Sequence, residues 1–182
     1  IKKFIIQNFN NKTNEVINYT TPKIDYKNLE LEASNIEKLN SNNNIYGINS
    51  LYFSKVIQPE MNKGNFPFTI TVESDLTKNQ EYQDFLALLN LLSNYKIKPL
   101  FIIEDFHPDI YINNREKMEN IIGAIKSKIE EHNYAYYDMW SYKKEDYRLG
   151  MLTDLVHLGE VGWIKLNQKI IEHFMAEKKV EK

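Results

Sequence analysis

The stretch "KIKPLFIIE", Lys96 to Glu104, decides how this chain is read. Pro99, Leu100, Phe101, Ile102 and Ile103 form a short apolar run that ends abruptly in acids, as a buried parallel strand does where it emerges at a sheet's edge. Before it, "NQEYQDFLALLNLLSNY", Asn79 to Tyr95, carries Tyr82, Phe85, Leu86, Leu89 and Leu92 on one face, which predicts an amphipathic helix. After it, "REKMENIIGAIKSKIEEH", Arg115 to His132, places Met118, Ile121, Ile122, Ile125 and Ile129 along one stripe and leads into "NYAYYDMW", a second strand.

Farther out, an aromatic loop from Trp140 to Tyr147 precedes a last helix, with Trp163, Leu166, Ile170 and Phe174 at spacings of three and four. Helix, strand, helix, strand, loop, helix is the order of a doubly wound sheet. The expected fold class is therefore α/β, a three-layer α/β/α sandwich of flavodoxin-like type with a mainly parallel sheet. The two strands, joined by a helix, should run parallel and end on one edge, where ligands bind in such sheets. Glu104, Asp105 and His107 after the first strand, and Asp154 and His157 after the second, should then face one crevice.

Residues 1–45 resist assignment. "IKKFIIQNF" suits a short strand, Leu29, Ile36 and Leu39 have loosely helical spacing, and Asn42 to Asn44 with "IYGINS" reads as a turn-rich connection. Residues 46–182 are taken as the α/β unit.

Composition narrows the function classes. A chain of 182 residues, 42% hydrophobic, has the material for one sizeable core. A net charge of -2 with mixed signs lacks the basic stripe that nucleic acid requires. There is no cysteine, which removes disulfides, a thiolate nucleophile and zinc-thiolate sites. No apolar run approaches the roughly 20 residues of a membrane span, and no signal peptide is recognisable. The first residue, Ile1, leads us to expect that an upstream segment has been removed.

The chemistry centres on "MLTDLVHLGEVGWIKLNQKI", Met151 to Ile170. In it Asp154 stands three residues ahead of His157. A carboxylate bonded to one imidazole nitrogen fixes the tautomer and leaves the other nitrogen to face a nucleophile. The plainer alternative is that Asp154 caps a turn while His157 opens the last helix. Gly159 and Gly162 allow close backbone approach there. Ser50, Ser54 and Ser74 all lie outside the strand-Gly-x-Ser-helix setting that exposes a nucleophile, and read as turn or strand hydroxyls. "HPD", His107 to Asp109, follows a strand rather than joining two helices, so it is not read as a co-chaperone motif. His107, Asp109 and His157 lack tight ligand spacing, and no metal or other cofactor is expected. His132 and His173 suit helix surfaces. Tyr134, Tyr136, Tyr137, Trp140, Tyr142 and Tyr147 suit core and rim packing, with a glycan or lipid-headgroup platform as the alternative.

"TDLVHLGEVGW" resembles the closing block of the SGNH-type hydrolases, and more closely that of the DltD family of D-alanyl transfer proteins in Gram-positive teichoic acid synthesis. "NNNIYGINSLYFSKVI" and "NQEYQDFLALLNLLSNYKIKPLFII" resemble that family's Asn-rich, Tyr-rich segment and its helix with central strand. The resemblance covers roughly Asn42 to Phe174. It implies an SGNH-like fold, here the C-terminal part of the domain, and an extracytoplasmic enzyme held to the cell membrane by an N-terminal anchor absent from this sequence. It also implies a Ser-Asp-His set in which Asp154 and His157 match the Asp and His while the serine lies upstream. The partners it implies are teichoic acid, the membrane acyltransferase and the D-alanyl carrier protein.

Two departures stand near the expected site. Where the family runs Pro-x-Asn and an aromatic after the strand, this chain has "EDFHPDIY", and Glu160 replaces a Trp after His-Leu-Gly. Glu104 and Asp105, with His107, are expected to bind substrate by favouring a cation such as the ammonium of a D-alanyl ester, with the plainer alternative that the acids only cap the following turn. The alternative is a non-catalytic module that uses the same cleft to hold a cell-wall polymer or a partner protein.

Overall fold

The computed structural model describes residues 23–41, 46–69, 71–104, 106–108, 115–141, 144–147 and 150–180. The expected strand at residues 1–9, the Asn run, Asp105, Asp109 and Tyr142 lie outside the described residues. The elements in order are α1 (Tyr26–Ser41), α2 (Ser50–Tyr52), a π-turn (Phe53–Ile57), α3 (Gln58–Asn62), α4 (Gln80–Asn94), β1 (Leu100–Ile103), α5 (Arg115–Glu131), β2 (Ala135–Asp138), a 3-10 turn (Lys144–Tyr147) and α6 (Glu160–Val180). The fold is mixed α/β around a small parallel sheet.

The central unit forms as its residue pattern dictates. Asn79 caps α4, its side-chain oxygen accepting the N–H of Tyr82 at 2.9 Å. Tyr82 and Leu89 are buried and Phe85, Leu86 and Leu92 half-buried, so the helix turns its expected face inward. Both α4 and α5 stop at a residue in the left-handed region, Lys96 (φ 54) and Asn133 (φ 55). There the next amide reaches back, Ile97 N–H to Leu92 O at 2.9 Å and Tyr134 N–H to Ile129 O at 3.1 Å. Each helix is thereby turned straight into a strand. β1 and β2 pair in parallel, Leu100 opposite Ala135 and Ile103 opposite Asp138, with α5 as the crossover. Their ends share one edge.

The flanking helices depart from the expected faces. α1 packs on α6, but it does so through Ala33, Glu37 and Ser41, while Leu29, Ile36 and Leu39 are exposed. The reason is a buried polar contact: the Glu37 carboxylate accepts the N–H of Glu160 at 3.2 Å, at the first turn of α6. An anion is favoured at a helix N-terminus, so a charged residue takes the position that periodicity reserves for a leucine. On α6 itself Leu166 is buried and Ile170 half-buried as expected, whereas Trp163 is 56% and Phe174 48% exposed. Val161 and Gly162 face inward in place of Trp163.

The core has two clusters. Ile48, Ile57 and Leu155 make one, packed by Tyr46, Tyr52, Phe53, Phe66, Phe68 and Val156. Leu152, Leu158 and Leu166 make the other, beneath Ile102, Tyr137, Met139, Tyr147 and Ile170. The loop that leads into α6 therefore contributes leucines to both. Among the described residues no helix is long and apolar enough to cross a membrane.

Candidate active site

The loop from Gly150 to Gly159 is closed on itself by its backbone. Leu152 and Leu158 form an antiparallel bridge, Thr153 N–H donates to His157 O at 2.8 Å, and Gly159 N–H donates to Met151 O at 2.9 Å. Gly150 sits at φ +83 and its carbonyl accepts the N–H of Val161 and Gly162 at 3.0 and 3.1 Å. A Cβ on Gly159 would collide with that carbonyl, and one on Gly162 with Met151 O. The chain uses glycine here because backbone must lie against backbone.

At the tip, Asp154 and His157 meet. His157 Nδ1 lies 2.8 Å from Asp154 Oδ2 and 3.1 Å from Oδ1. Oδ1 also accepts the backbone N–H of Val156 at 3.0 Å and of His157 at 2.9 Å. The turn cap and the acid–imidazole pair thus coexist in one carboxylate. Burial pushes the Asp154 carboxyl up, but the hydrogen bonds from Val156, His157 N–H and the His157 ring outweigh it and hold the group below its ordinary value. An ionised carboxylate beside Nδ1 makes that nitrogen the donor, so Nε2 is left as the acceptor. The His157 side chain is 73% exposed against 21% for Asp154, so the basic nitrogen faces outward while its orienting acid is tucked in.

The other expected residues fare differently. Glu104 is exposed just past β1. His107 is 3% exposed, so the structure brings it to the loop from beneath: its N–H donates to Leu155 O at 2.9 Å and its Nε2 lies 2.9 Å from Tyr46 O. In this position the His107 backbone supports the Asp154 turn, while the buried ring packs against Tyr46 and Tyr147 and does not line an open cleft. His132 and His173 are half-buried. Ser54 donates to Leu51 O at 3.1 Å, Ser50 begins α2 under an Asn49 cap, and Ser74 is exposed in the loop before α4. A cavity of about 300 Å³ lies beside the end of β2, walled by Tyr137, Trp140, Tyr147, Leu158 and Lys165. Neither Asp154 nor His157 is among the residues that wall it. Among the described residues no cluster of His, Asp or Glu could hold a metal ion.

Sequence reasoning missed Arg115 and Asn49. Arg115 is 6% exposed, and its guanidinium reaches Phe106 O at 2.8 Å and Ser141 O at 2.6 Å, so it joins the loops that follow both strands. Its place at the head of an apolar-striped helix was visible, but its burial was not. Asn49 donates its N–H to Thr153 O at 2.9 Å.

The family model described as "DltD protein" matches residues 2–175. "Protein DltD" of Staphylococcus aureus (strain NCTC 8325 / PS 47) is 23% identical over 165 residues, which is 89% of this chain and 40% of that relative.

Proposed function

This chain belongs to the DltD family, and from that premise we propose that its Asp154–His157 turn is the acid–base half of a serine acyl-transfer site in teichoic acid D-alanylation. The observation that carries the reading is the 2.8 Å contact between Asp154 Oδ2 and His157 Nδ1, with the exposed ring turned outward. The chain spans 40% of the relative it matches, and the serine is assigned to the remainder of the full-length protein.

The proposed reaction runs in two halves. His157 Nε2 takes the proton of the serine hydroxyl as its oxygen attacks the acyl carbonyl, and returns that proton to the leaving oxygen. In the second half the same nitrogen deprotonates the acceptor hydroxyl, of teichoic acid for transfer or of water for hydrolysis, and the proton returns to the serine. Asp154 stays ionised throughout and stabilises the imidazolium. Glu104, exposed just past β1, and its sequence neighbour Asp105 are proposed to favour an ammonium-bearing acyl group. The wider setting proposed is a three-layer α/β/α sandwich of SGNH type, of which residues 46–182 form the C-terminal part. It would be anchored on the extracytoplasmic face of the cell membrane and work with the pathway's membrane acyltransferase and carrier protein. The parallel pair β1 and β2 with its helical crossover supports that architecture.

The test is His157→Ala in the full-length protein, assayed for turnover of a D-alanyl ester with the fold checked by circular dichroism. Loss of turnover with an intact fold is the expected result. Unchanged turnover would favour a non-catalytic binding module.

A further inference from the structure

The carbonyls on either side of Asp154 are both held from outside the loop, Thr153 O by Asn49 N–H and Leu155 O by His107 N–H, each at 2.9 Å. Both anchors run through His107. Its own N–H makes one. Its ring, 2.9 Å from the Tyr46 carbonyl, ties down the segment that carries Asn49 and so steadies the other. Since a carbonyl oxygen only accepts, Nε2 of His107 carries the proton and donates there. The ring is clasped edge-on by Tyr46 at 5.8 Å and at a tilt by Tyr147 at 5.6 Å.

Arg115 braces this node from behind. It donates to Phe106 O, the carbonyl immediately before His107, at 2.8 Å, and to Ser141 O at 2.6 Å. The Tyr147 hydroxyl donates to that same Ser141 carbonyl at 2.7 Å, and the guanidinium lies 4.3 Å over the ring of Trp140. A planar fork of this kind satisfies several fixed acceptors at once, which a lysine could not do.

We propose that Arg115, Tyr147 and His107 are positioning residues for the Asp154–His157 pair. Their network fixes the backbone on both sides of Asp154, and through it the direction in which His157 presents Nε2. The inference rests on the acid–base reading of that pair. It gives His107 a supporting role in place of substrate contact, because a ring 3% exposed reaches the reaction only through what it holds. A displacement of about 1 Å at a reacting group costs on the order of 100-fold in rate, so the bracing is functional.

The experiment uses full-length protein labelled with nitrogen-15 histidine, read by the His157 ring signal and by hydrogen exchange of the peptide spanning residues 151–159. His107→Phe keeps an aromatic ring in the stack, somewhat larger than imidazole, but removes the donor. It should speed exchange in 151–159 by about tenfold and erase the Nδ1-protonated signature of His157, with β1 protection unchanged. His107→Gln, which returns an N–H toward Tyr46 O, should restore most of both. Wild-type exchange and an unaltered ring signal in His107→Phe would overturn the proposal. If that variant loses protection throughout, Tyr147→Phe decides. Faster exchange confined to 151–159 then supports the network, and wild-type exchange overturns it. A wild-type His157 ring without the Nδ1-protonated signature would sink the acid–base reading instead, a result separable from the exchange data.

Discussion

Asp154 binds His157 twice, through the backbone N–H at 2.9 Å and through ring Nδ1 at 2.8 Å, so one carboxylate sets both where the histidine starts and how its ring is turned. Asp154→Asn separates these roles. An amide oxygen can still accept the backbone N–H groups, while the amide NH₂ facing Nδ1 demands the opposite tautomer. Stability should fall by about 1 kcal/mol or less, and turnover of the full-length protein by roughly 10³- to 10⁴-fold. Thermal melts and steady-state kinetics on one preparation check both figures. A variant that keeps more than a tenth of its turnover would detach Asp154 from catalysis.

The depressed Asp154 carboxyl links the loop to pH. Because its folded pKa lies below the unfolded value near 3.8, the group contributes stability above that value and loses it as pH falls through the lower folded one. The difference in melting temperature between wild type and Asp154→Asn should therefore be steady near neutrality and shrink under acid below that value. A difference that stays constant into strong acid would contradict the linkage.

Two glycines should respond in opposite directions to the same substitution. Gly150→Ala forces a side chain into φ +83 and against Glu37 and Val161, and should destabilise by about 1–3 kcal/mol. Gly123→Ala lies within α5 with nothing inside 4 Å of the new Cβ, and should stabilise by about 0.5–1 kcal/mol. Urea denaturation of the two variants gives the comparison directly.

Residues 1–182 alone should give no acyl-enzyme burst with an activated ester. Mass spectrometry after treatment with a serine-directed phosphonate should leave Ser50, Ser54 and Ser74 unmodified. Stoichiometric labelling of any of them would place the nucleophile within this chain.

The central unit was legible from its apolar spacing. Tyr82 to Leu92 and Met118 to Ile129 follow the helical period, and the short apolar run Leu100 to Ile103 between two such helices, ending in acids, reads as a buried parallel strand. The pairing of Asp154 with His157 was legible from local spacing. Glu37, His107 and Arg115 were not, since a buried polar residue is stabilised by partners distant in sequence and leaves no periodic trace. The same reason inverted the reading of α1, where hydrophobic spacing marks the exposed face.

The contact between Glu37 and Glu160 spans 123 residues, and that between His107 and Tyr46 spans 61. The sheet and its crossover close over short stretches, and short loops close first during folding. Contacts of such long separation wait until the ends of the chain have met. The Asp154–His157 contact, three residues apart, can close early, but the distant anchors that fix its place on the molecule are among the last to form, so the pair exists before it has an address.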